Sequence, residues 1–497
     1  MNPQALASPA RWLQRFVADV DVPPASDYER WWRDRGQAIS DAVDRAGTPH
    51  LRMFDAQGRR IDEIQFPPEY WDALARGYEA GLVWRAFAEP RSLLPGFVLG
   101  YVTSFFDPGI YCPFTVSLST AVPLDKYAGE EVKARLLAPM LARSGRCWQG
   151  ATWMTEARGG SDLGAAVETT ACSIGDGTWR LNGDKYFCSN VGAEVALVAA
   201  RPDGAPAGVR GLGLFAVPRL RGDGTLNHTI RRLKDKIATR SVPTGEVELR
   251  DSEGWRLGPE QPGVYLILEA LNLSRIANSI GSVALAQRAL ADALAFGCER
   301  VAFGRPIVEH PLLGVQVRER IAALEAASAL AWEAARQLDV VWRERPPYSE
   351  QYDLFRLMAH LSKYWTAENA VQTARWAIEV FGGAGTLAEN RVERWLREAV
   401  ILAIWEGTPH RQMLDGLEVM ERKGAHHLLL ERLRAGAEPG AIEDWSLRLE
   451  RFLAQDRADR EASVGPVFHD LALFAGHALA QRVPKLAPKP DHGAAAG

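Results

Sequence analysis

Two changes of hydrophobic periodicity limit the folds that this sequence can adopt. Apolar residues recur at helical spacing up to about residue 146, alternate in short runs bounded by Gly, Pro or Asp from Cys147, and return to helical spacing after Pro262. A period near 3.6 suits a helix and a period of two suits a strand. The sequence therefore predicts an α+β protein, mostly α, with a β region between two helical ones.

A chain of 497 residues is longer than one hydrophobic core usually supports. A turn signal at Asp55–Gly58, with apolar residues on both sides, predicts a small hairpin in the first part, and Ala121–Leu141 is predicted as a helix. The Pro/Ala/Gly-rich end is predicted to be disordered. We expect a helical N-terminal domain with the hairpin insert (1–146), a central β domain (147–260), a four-helix-type bundle (261–420), and a helical extension with the disordered tail (421–497).

Composition narrows the function classes. The net charge of −4 offers no general attraction for a polyanion, so a nucleic-acid partner is possible but not favoured. Five scattered cysteines without a CxxC pair favour a reducing compartment and argue against a disulfide framework or a metal site. The sequence shows neither a signal-peptide pattern nor an apolar run long enough to cross a membrane, which predicts a cytoplasmic protein.

One stretch places a single acid after an apolar run. Ala399–Trp405 carries no charge, Glu406 follows it, and Gly407 then breaks the helix. Burial raises the pKa of a carboxyl group toward neutrality, which suits a general base. The alternative is an ordinary helix end whose acid points into water.

Two segments of the β region could face a ligand. Thr155 and Ser161 flank a pair of glycines, so hydroxyls and backbone N–H groups could meet a polar ring edge or a phosphate. Phe187 and Ser189 would share one face of a strand and offer an aromatic plate and a hydroxyl. The alternatives are a common turn and a half-buried strand with a core Phe.

Two further segments end helices. Arg300 and Phe303 could contact a pyrophosphate and a base, while Gly382 and Gly383 leave backbone groups open to close approach. Either segment could equally be a helix C-cap.

The order of these motifs carries a resemblance. The motifs follow one another in the order TE-x-x-GGSD, NGDK, R-x-x-FGRP, FGGAG and WEGT. This series resembles the acyl-CoA dehydrogenase flavoprotein family. Three segments look more like the AidB-type, adaptive-response branch than the enzymes of fatty-acid oxidation. They are the insert at Thr48–Phe66, the segment Arg232–Ser241 and the C-terminal extension.

The resemblance implies an enzyme that binds FAD and an acyl-CoA. Glu406 would take the α proton while the β hydrogen leaves as hydride to flavin N5, which gives a trans-2-enoyl thioester. Arg275 falls near the CoA portion of the substrate. The residues that would contact the flavin are Thr155, Ser161, Phe187, Ser189 and Thr408. The residues that would reach the FAD of a neighbouring subunit in a homotetramer are Arg300, Phe303, Gly382 and Gly383.

Two departures from the family pattern affect the adenine side, since Pro311 and Glu379 stand where many members carry Gln. The resemblance does not name the electron acceptor or the acyl chain length. Two other functions remain open: a flavin-containing protein that binds nucleic acid and protects it from alkylation damage, and a flavin-free scaffold.

Overall fold

The computed structural model describes residues 6–20 and 25–484, and its N-terminal part is helical. Two π-helical turns, Trp32–Gly36 and Lys133–Leu137, join neighbouring helices there. The helices are α1 (Pro9–Leu13), α2 (Ala25–Trp31), α3 (Gln37–Arg45), α4 (Pro68–Ala80), α5 (Leu94–Phe106), α6 (Pro108–Tyr127), α7 (Glu130–Val132) and α8 (Ala138–Met140).

Helices α5 and α6 are buried along nearly their whole length. Asp107 begins α6 by accepting the N–H of Ile110 at 2.9 Å, as an N-cap does. The helix predicted over Ala121–Leu141 is wrong, because α6 ends at Tyr127 and the backbone is extended at the next two residues. Glycine at position 129 favours such a break.

A hairpin interrupts the helices where the turn signal predicts one. Its strands, β1 (His50–Phe54) and β2 (Arg60–Gln65), pair antiparallel. Asp62 accepts the N–H of Ile230 at 2.8 Å, and Arg60 donates to the carbonyl of the same residue at 2.8 Å. The hairpin thereby joins the helical N-terminal part to the β region.

The β region is a sheet that closes on itself. Its strands are β3 (Gly150–Trp153), β4 (Thr170–Gly175), β5 (Thr178–Ser189), β6 (Val195–Pro202), β7 (Gly213–Pro218), β8 (Thr229–Leu233) and β9 (Thr244–Leu257), with the short helix α9 (Leu163–Ala166) before β4. Neighbouring strands run in the order β6-β4-β5-β9-β7, and β7 pairs back with β6. Strands β3 and β8 extend the sheet from β6 and β9.

Long helices form the rest of the chain. A two-stranded hairpin, β10 (Val301–Ala302) and β11 (Arg305–Pro306), follows the first of them. The helices are α10 (Gly263–Glu299), α11 (Pro311–Val341), α12 (Glu350–Phe381), α13 (Val392–Ile404), α14 (Pro409–Lys423), α15 (Ala425–Leu433), α16 (Ala441–Leu453) and α17 (Arg457–Ala480).

The C-terminal extension packs closely on the bundle. A Cβ at Gly416 would lie 2.3 Å from the Phe468 ring, and one at Gly476 would lie 2.4 Å from the Trp365 ring. These glycines therefore let α14 and α17 approach their neighbours. The predicted disordered tail falls mostly at 485–497, outside the described residues. The predicted fold class is confirmed, and the domain limits stay predictions.

Candidate active site

A cavity of about 850 Å³ lies between the β region and the helices. Helix α10 lines it from Val264 to Gly281, beside α6, α12, α13 and α14. The Val264 end is partly exposed, whereas α10 is buried around Gly281. The part of α10 that lines the cavity is therefore partly exposed at one end and buried at the other.

Seven of the predicted site residues line this one cavity. The chain brings them from the loop after β3, strand β5, helix α10 and the α13–α14 link. They are Thr155, Ser161, Phe187, Ser189, Arg275, Glu406 and Thr408.

Glu406 lies in the link between α13 and α14. Its φ is 57°, in the left-handed region that non-glycine residues seldom adopt, and φ of Gly407 is 103°. Oε2 of Glu406 is buried and has no hydrogen-bond partner among residues 6–20 and 25–484. The side chain therefore brings an unsatisfied carboxyl oxygen to the cavity wall, which is the arrangement of an acid that acts on a ligand.

The protein around Glu406 favours its neutral form. Burial raises the pKa of Glu406 to about 7, although Arg275 and Lys363 oppose the shift. The alternative of a solvated helix end does not fit a carboxyl group in these surroundings. A carboxyl group with a pKa near neutrality can accept and release a proton at physiological pH.

Arg275 lies behind the acid. Its Nε donates to the carbonyl oxygen of Glu406 at 3.1 Å, and Nη1 donates to Asn272 at 2.7 Å. Its third contact is Asp415, at 3.5 Å. The guanidinium group therefore supports the Glu406 backbone while it lines the cavity.

The opposite wall offers a flat apolar surface with polar edges. Phe187 is 52% exposed on β5 and lines the cavity together with Ser189, whereas Cys188 between them is fully buried. Ser189 Oγ lies 3.4 Å from Thr244 Oγ1, and Thr155 Oγ1 would lie 2.4 Å from a Cβ at Gly160. A planar aromatic ligand with hydrogen-bonding edges suits these residues.

Thr408 begins α14 and also lines the cavity. Its hydroxyl oxygen accepts the N–H of Arg411 at 3.4 Å and so caps α14. A hydroxyl group that accepts in this way can still donate its own hydrogen. Thr408 can therefore cap its helix and contact a ligand at once.

The other four predicted residues lie outside this cavity. Phe303 is 97% exposed at the tip of the β10–β11 hairpin, and Arg300 is exposed at the start of that hairpin. Gly382 and Gly383 are exposed at the end of α12. A single chain thus presents two separate sets of predicted residues, one lining a cavity and one on the surface.

Sequence reasoning missed several cavity residues. Lys363, His360 and Gln412 are buried behind Glu406, and Lys236 and Cys112 line the cavity. A lysine and a histidine within the apolar part of α12 were the available signal for the first two. Burial of such groups is costly unless they have partners.

Comparison with known proteins decides the family. Three family models match: the adaptive response protein AidB N-terminal domain at 12–144, the acyl-CoA dehydrogenase middle domain at 151–252, and the acyl-CoA dehydrogenase C-terminal domain at 261–420. The putative acyl-CoA dehydrogenase AidB of Escherichia coli K12 is 30% identical over 406 residues, which are 77% of this chain and 71% of that protein. The chain belongs to the acyl-CoA dehydrogenase family.

Two other proteins are similar to this chain over most of its length. Acyl-CoA dehydrogenase family member 11 of Caenorhabditis elegans is 30% identical over 422 residues, 80% of this chain and 68% of that protein. The solved structure described as Bd2924 apo-form is 28% identical with a TM-score of 0.86, covering 97% of this chain and 98% of its own. The resemblance to the AidB-like branch is confirmed.

A structure of Caenorhabditis elegans ACDH-11 in complex with C11-CoA shares the acyl-CoA dehydrogenase fold. Its TM-score is 0.82 at 24% identity, over 97% of this chain and 91% of that one. In residues 6–20 and 25–484, we find no helix of the length and hydropathy needed to span a membrane.

Proposed function

We propose that this protein desaturates an acyl-CoA thioester between Cα and Cβ, with Glu406 as the base that removes the α proton. The observation that carries the proposal is the unsatisfied Glu406 carboxyl group on the cavity wall, with its pKa raised to about 7 by burial. A carboxylate in water is too weak a base for this proton, and desolvation strengthens it.

The proposed reaction removes one proton and one hydride from the acyl-CoA. The α C–H bond breaks, its proton passes to Glu406, and its electron pair forms the Cα=Cβ double bond as the β hydrogen leaves with its own electron pair. When bound, FAD supplies the two-electron oxidant that accepts this hydride. The product is a trans-2-enoyl thioester, and an electron-transfer protein is the proposed acceptor partner.

The cavity residues have roles in this proposal that follow from their chemistry. Phe187 would pack against the flavin ring, and the hydroxyl groups of Thr155, Ser161, Ser189 and Thr408 would hydrogen-bond its edges. The buried part of the cavity wall would keep water from a bound acyl chain, which strengthens the electrostatic interactions there.

Arg275 serves the substrate side in this proposal. It lines the cavity on α10, between the partly exposed Val264 and the buried Gly281, and would lie beside the CoA portion. Its contacts with Asn272 and Asp415 fix the guanidinium group. We infer that it bounds the path of the thioester as well as supporting the base.

A second subunit would complete the FAD site. Phe303 is almost fully exposed and Arg300 lies beside it, which supports a contact with a ligand bound to another copy. Gly382 has φ of 64° and no heavy atom within 4 Å of a Cβ built on it, so a ligand could approach its backbone closely. Gly383 is equally open, and we propose a homotetramer with shared FAD sites.

We propose the cytoplasm as the compartment of this protein. All five cysteines, Cys112, Cys147, Cys172, Cys188 and Cys298, are free thiols. Free thiols persist in a reducing compartment.

The nucleic-acid alternative lacks comparable support. Six arginines of the C-terminal extension each lie close to a carboxylate, which competes with phosphate for them. The pairs are Arg422–Glu418, Arg432–Glu333, Arg434–Glu431, Arg448–Asp470, Arg457–Glu461 and Arg460–Glu421.

Flavin absorbance tests the proposal directly. The purified protein, loaded with FAD, is mixed anaerobically with saturated acyl-CoAs of increasing length. We expect at least one of them to bleach the flavin band. Glu406→Gln should bind FAD but lose the bleaching, whereas Glu389→Gln, an exposed acid after α12, should keep it.

Two results would contradict the proposal. A protein that cannot be loaded with FAD has no oxidant, and a yellow protein that no thioester reduces has no dehydrogenase activity. Salt-dependent DNA binding by such a yellow protein would favour the alternative.

A further inference from the structure

The strained link that carries Glu406 has support from three other helices. Glu406 and Gly407 both have positive φ, and such a conformation persists only where its surroundings hold it. The last carbonyl groups of α13 and those of the link also lack helical partners, as at any helix end. Buried side chains supply those missing partners.

Lys363 of α12 contacts the link from one side. Its Nζ donates to the carbonyl of Ala403 at 2.8 Å and to that of Gly407 at 2.6 Å. Its side chain is 1% exposed. The ammonium group therefore joins the end of α13 to the residue just beyond Glu406.

Gln412 of α14 contacts the link from the other side. Its Nε2 donates to the carbonyl of Glu406 at 3.0 Å and to that of Gly407 at 3.1 Å. A Cβ at Gly407 would lie 2.6 Å from this nitrogen, so only glycine leaves room for the contact. Gln412 Oε1 lies 2.8 Å from His360 Nδ1, and burial lowers the pKa of His360 to about 3. A neutral His360 with hydrogen on Nδ1 fixes which way the amide of Gln412 points.

We propose that Lys363 and Gln412 are positioning residues for Glu406, which hold the left-handed turn that presents its carboxyl group to the cavity. The inference rests on the proposed function of Glu406 as the base. Because both side chains bind backbone atoms of the link, neither needs to touch the substrate. Lys363 differs from Gln412 in adding a positive charge.

The charge of Lys363 has a separate effect on the acid. Burial lowers the pKa of Lys363 to about 7, and the nearby Glu406 opposes that shift, as Lys363 opposes the rise at Glu406. Other titratable or charged groups also face this part of the cavity from every side. They are Arg275 from α10, Cys112 from α6, Lys236 from the loop after β8, Arg356 and the neutral His360 from α12, and Arg411, Asp415 and Glu418 from α14.

Two variants separate the positioning effect from the charge effect. Lys363→Met and Gln412→Met should each slow single-turnover flavin reduction by roughly tenfold or more, because small misplacements of a reacting group are costly. Only Lys363→Met should also raise the Glu406 pKa, by roughly one unit or more, since only it removes a cation. Lys363→Arg should restore the pKa, and Lys423→Met, which removes an exposed lysine of α14, should change neither quantity.

Infrared spectroscopy gives a readout that does not depend on activity. The stretch of the protonated carboxyl group is titrated against pH and assigned to Glu406 by its loss in Glu406→Gln. If no acyl-CoA reduces the wild-type protein, the proposed function fails, and this titration still decides whether Lys363 acts on the acid.

A folded Lys363→Met with wild-type rate and wild-type titration midpoint would overturn the inference. So would a Gln412→Met that reacts at the wild-type rate. Circular dichroism checks that each variant is folded, and Lys363→Arg and Gln412→Met carry the test if Lys363→Met does not fold.

Discussion

The backbone N–H of Thr239 donates to both carboxylate oxygens of Glu398, at 3.1 Å each. Thr239 belongs to the loop between β8 and β9 and lines the cavity, while Glu398 lies on α13, the helix that ends just before Glu406. Arg394, also on α13, lies 3.6 Å from the same carboxylate. One buried carboxylate thus couples the β wall of the cavity to the helix that leads to the proposed base.

Glu398→Gln should change how stability depends on pH. Burial raises the pKa of Glu398 from 4.5 to about 7, although Arg394 opposes the shift. Between pH 4.5 and about 7, Glu398 holds a proton in the folded protein that it has released in the unfolded chain. The stability that this proton contributes is therefore full below pH 4.5 and is lost as pH rises to about 7. In urea denaturation, the unfolding free energy of the variant should fall less over that pH range than that of the wild-type protein, by on the order of 1 kcal/mol. An unchanged pH dependence would contradict this prediction.

The rate of flavin reduction should rise with pH through about 7 in the wild-type protein. Burial raises the pKa of Glu406 to about that value, and only the ionised carboxylate can accept the α proton. Stopped-flow absorbance at a saturating acyl-CoA concentration measures this rate. A rate that falls as pH rises through this range would rule out an unprotonated carboxylate as the base.

Gly281→Val should shorten the acyl chains that the protein accepts. Gly281 is a buried residue of the cavity wall, where an added Cβ would be 3.3 Å from Ser104 Oγ and 3.8 Å from the Tyr111 ring. It lies less than two turns beyond Arg275 on α10, about 9 Å further along the axis. Because extra atoms there shorten the cavity, kcat/KM should fall about tenfold or more for each methylene group that no longer fits.

A panel of acyl-CoAs, compared between this variant and Gly465→Val, measures the change in chain length. Gly465 is a suitable control because it lies within α17, and the nearest atom to a Cβ there, Met413 Sδ, is 4.0 Å away. Equal losses for short and long chains would show that Gly281 does not bound the acyl chain.

Phe187→Ala should weaken FAD binding by about tenfold, because an aromatic pair adds roughly 0.5–1.5 kcal/mol beyond area burial. Phe187→Trp should keep the affinity, since Trp offers a larger ring in the same place. Ile174→Ala, at another exposed apolar residue of the β region, is the control. Titration of apoprotein with FAD, followed by flavin fluorescence, gives the affinities, and equal values for all four proteins would exclude the proposed stacking.

Local patterns predicted much of the fold and part of the site. The apolar run before Glu406 left two interpretations open, a buried acid and an ordinary helix end whose acid points into water. The same pattern could not show the left-handed turn, since that conformation depends on Lys363 and Gln412, which come from other helices. Tertiary contacts of this kind leave no trace in local periodicity.

The helix prediction in the N-terminal part also missed the start of α6, which lies at Pro108 rather than Ala121, and this error has a physical cause. Pro113 and Pro123 lie inside α6, although each removes a helical hydrogen bond. Burial along nearly the whole of α6 offsets this cost, and burial is a property of the folded chain that proline propensity does not report. Arg300 and Phe303 show another limit, because residues proposed to act on a second copy cannot be brought together within one chain.

The β1–β2 hairpin holds the N-terminal part against the β region before any ligand binds. Asp62 and Arg60 fasten the N-terminal helices to Ile230 of β8, and Arg219 adds a hydrogen bond to the carbonyl of Asp62. The N-terminal part and the β region both line the cavity, and because these bonds join them, little conformational entropy is left to lose when a planar ligand binds. The empty apoprotein should then protect its amide hydrogens from exchange around Ile230 nearly as well as the loaded one does.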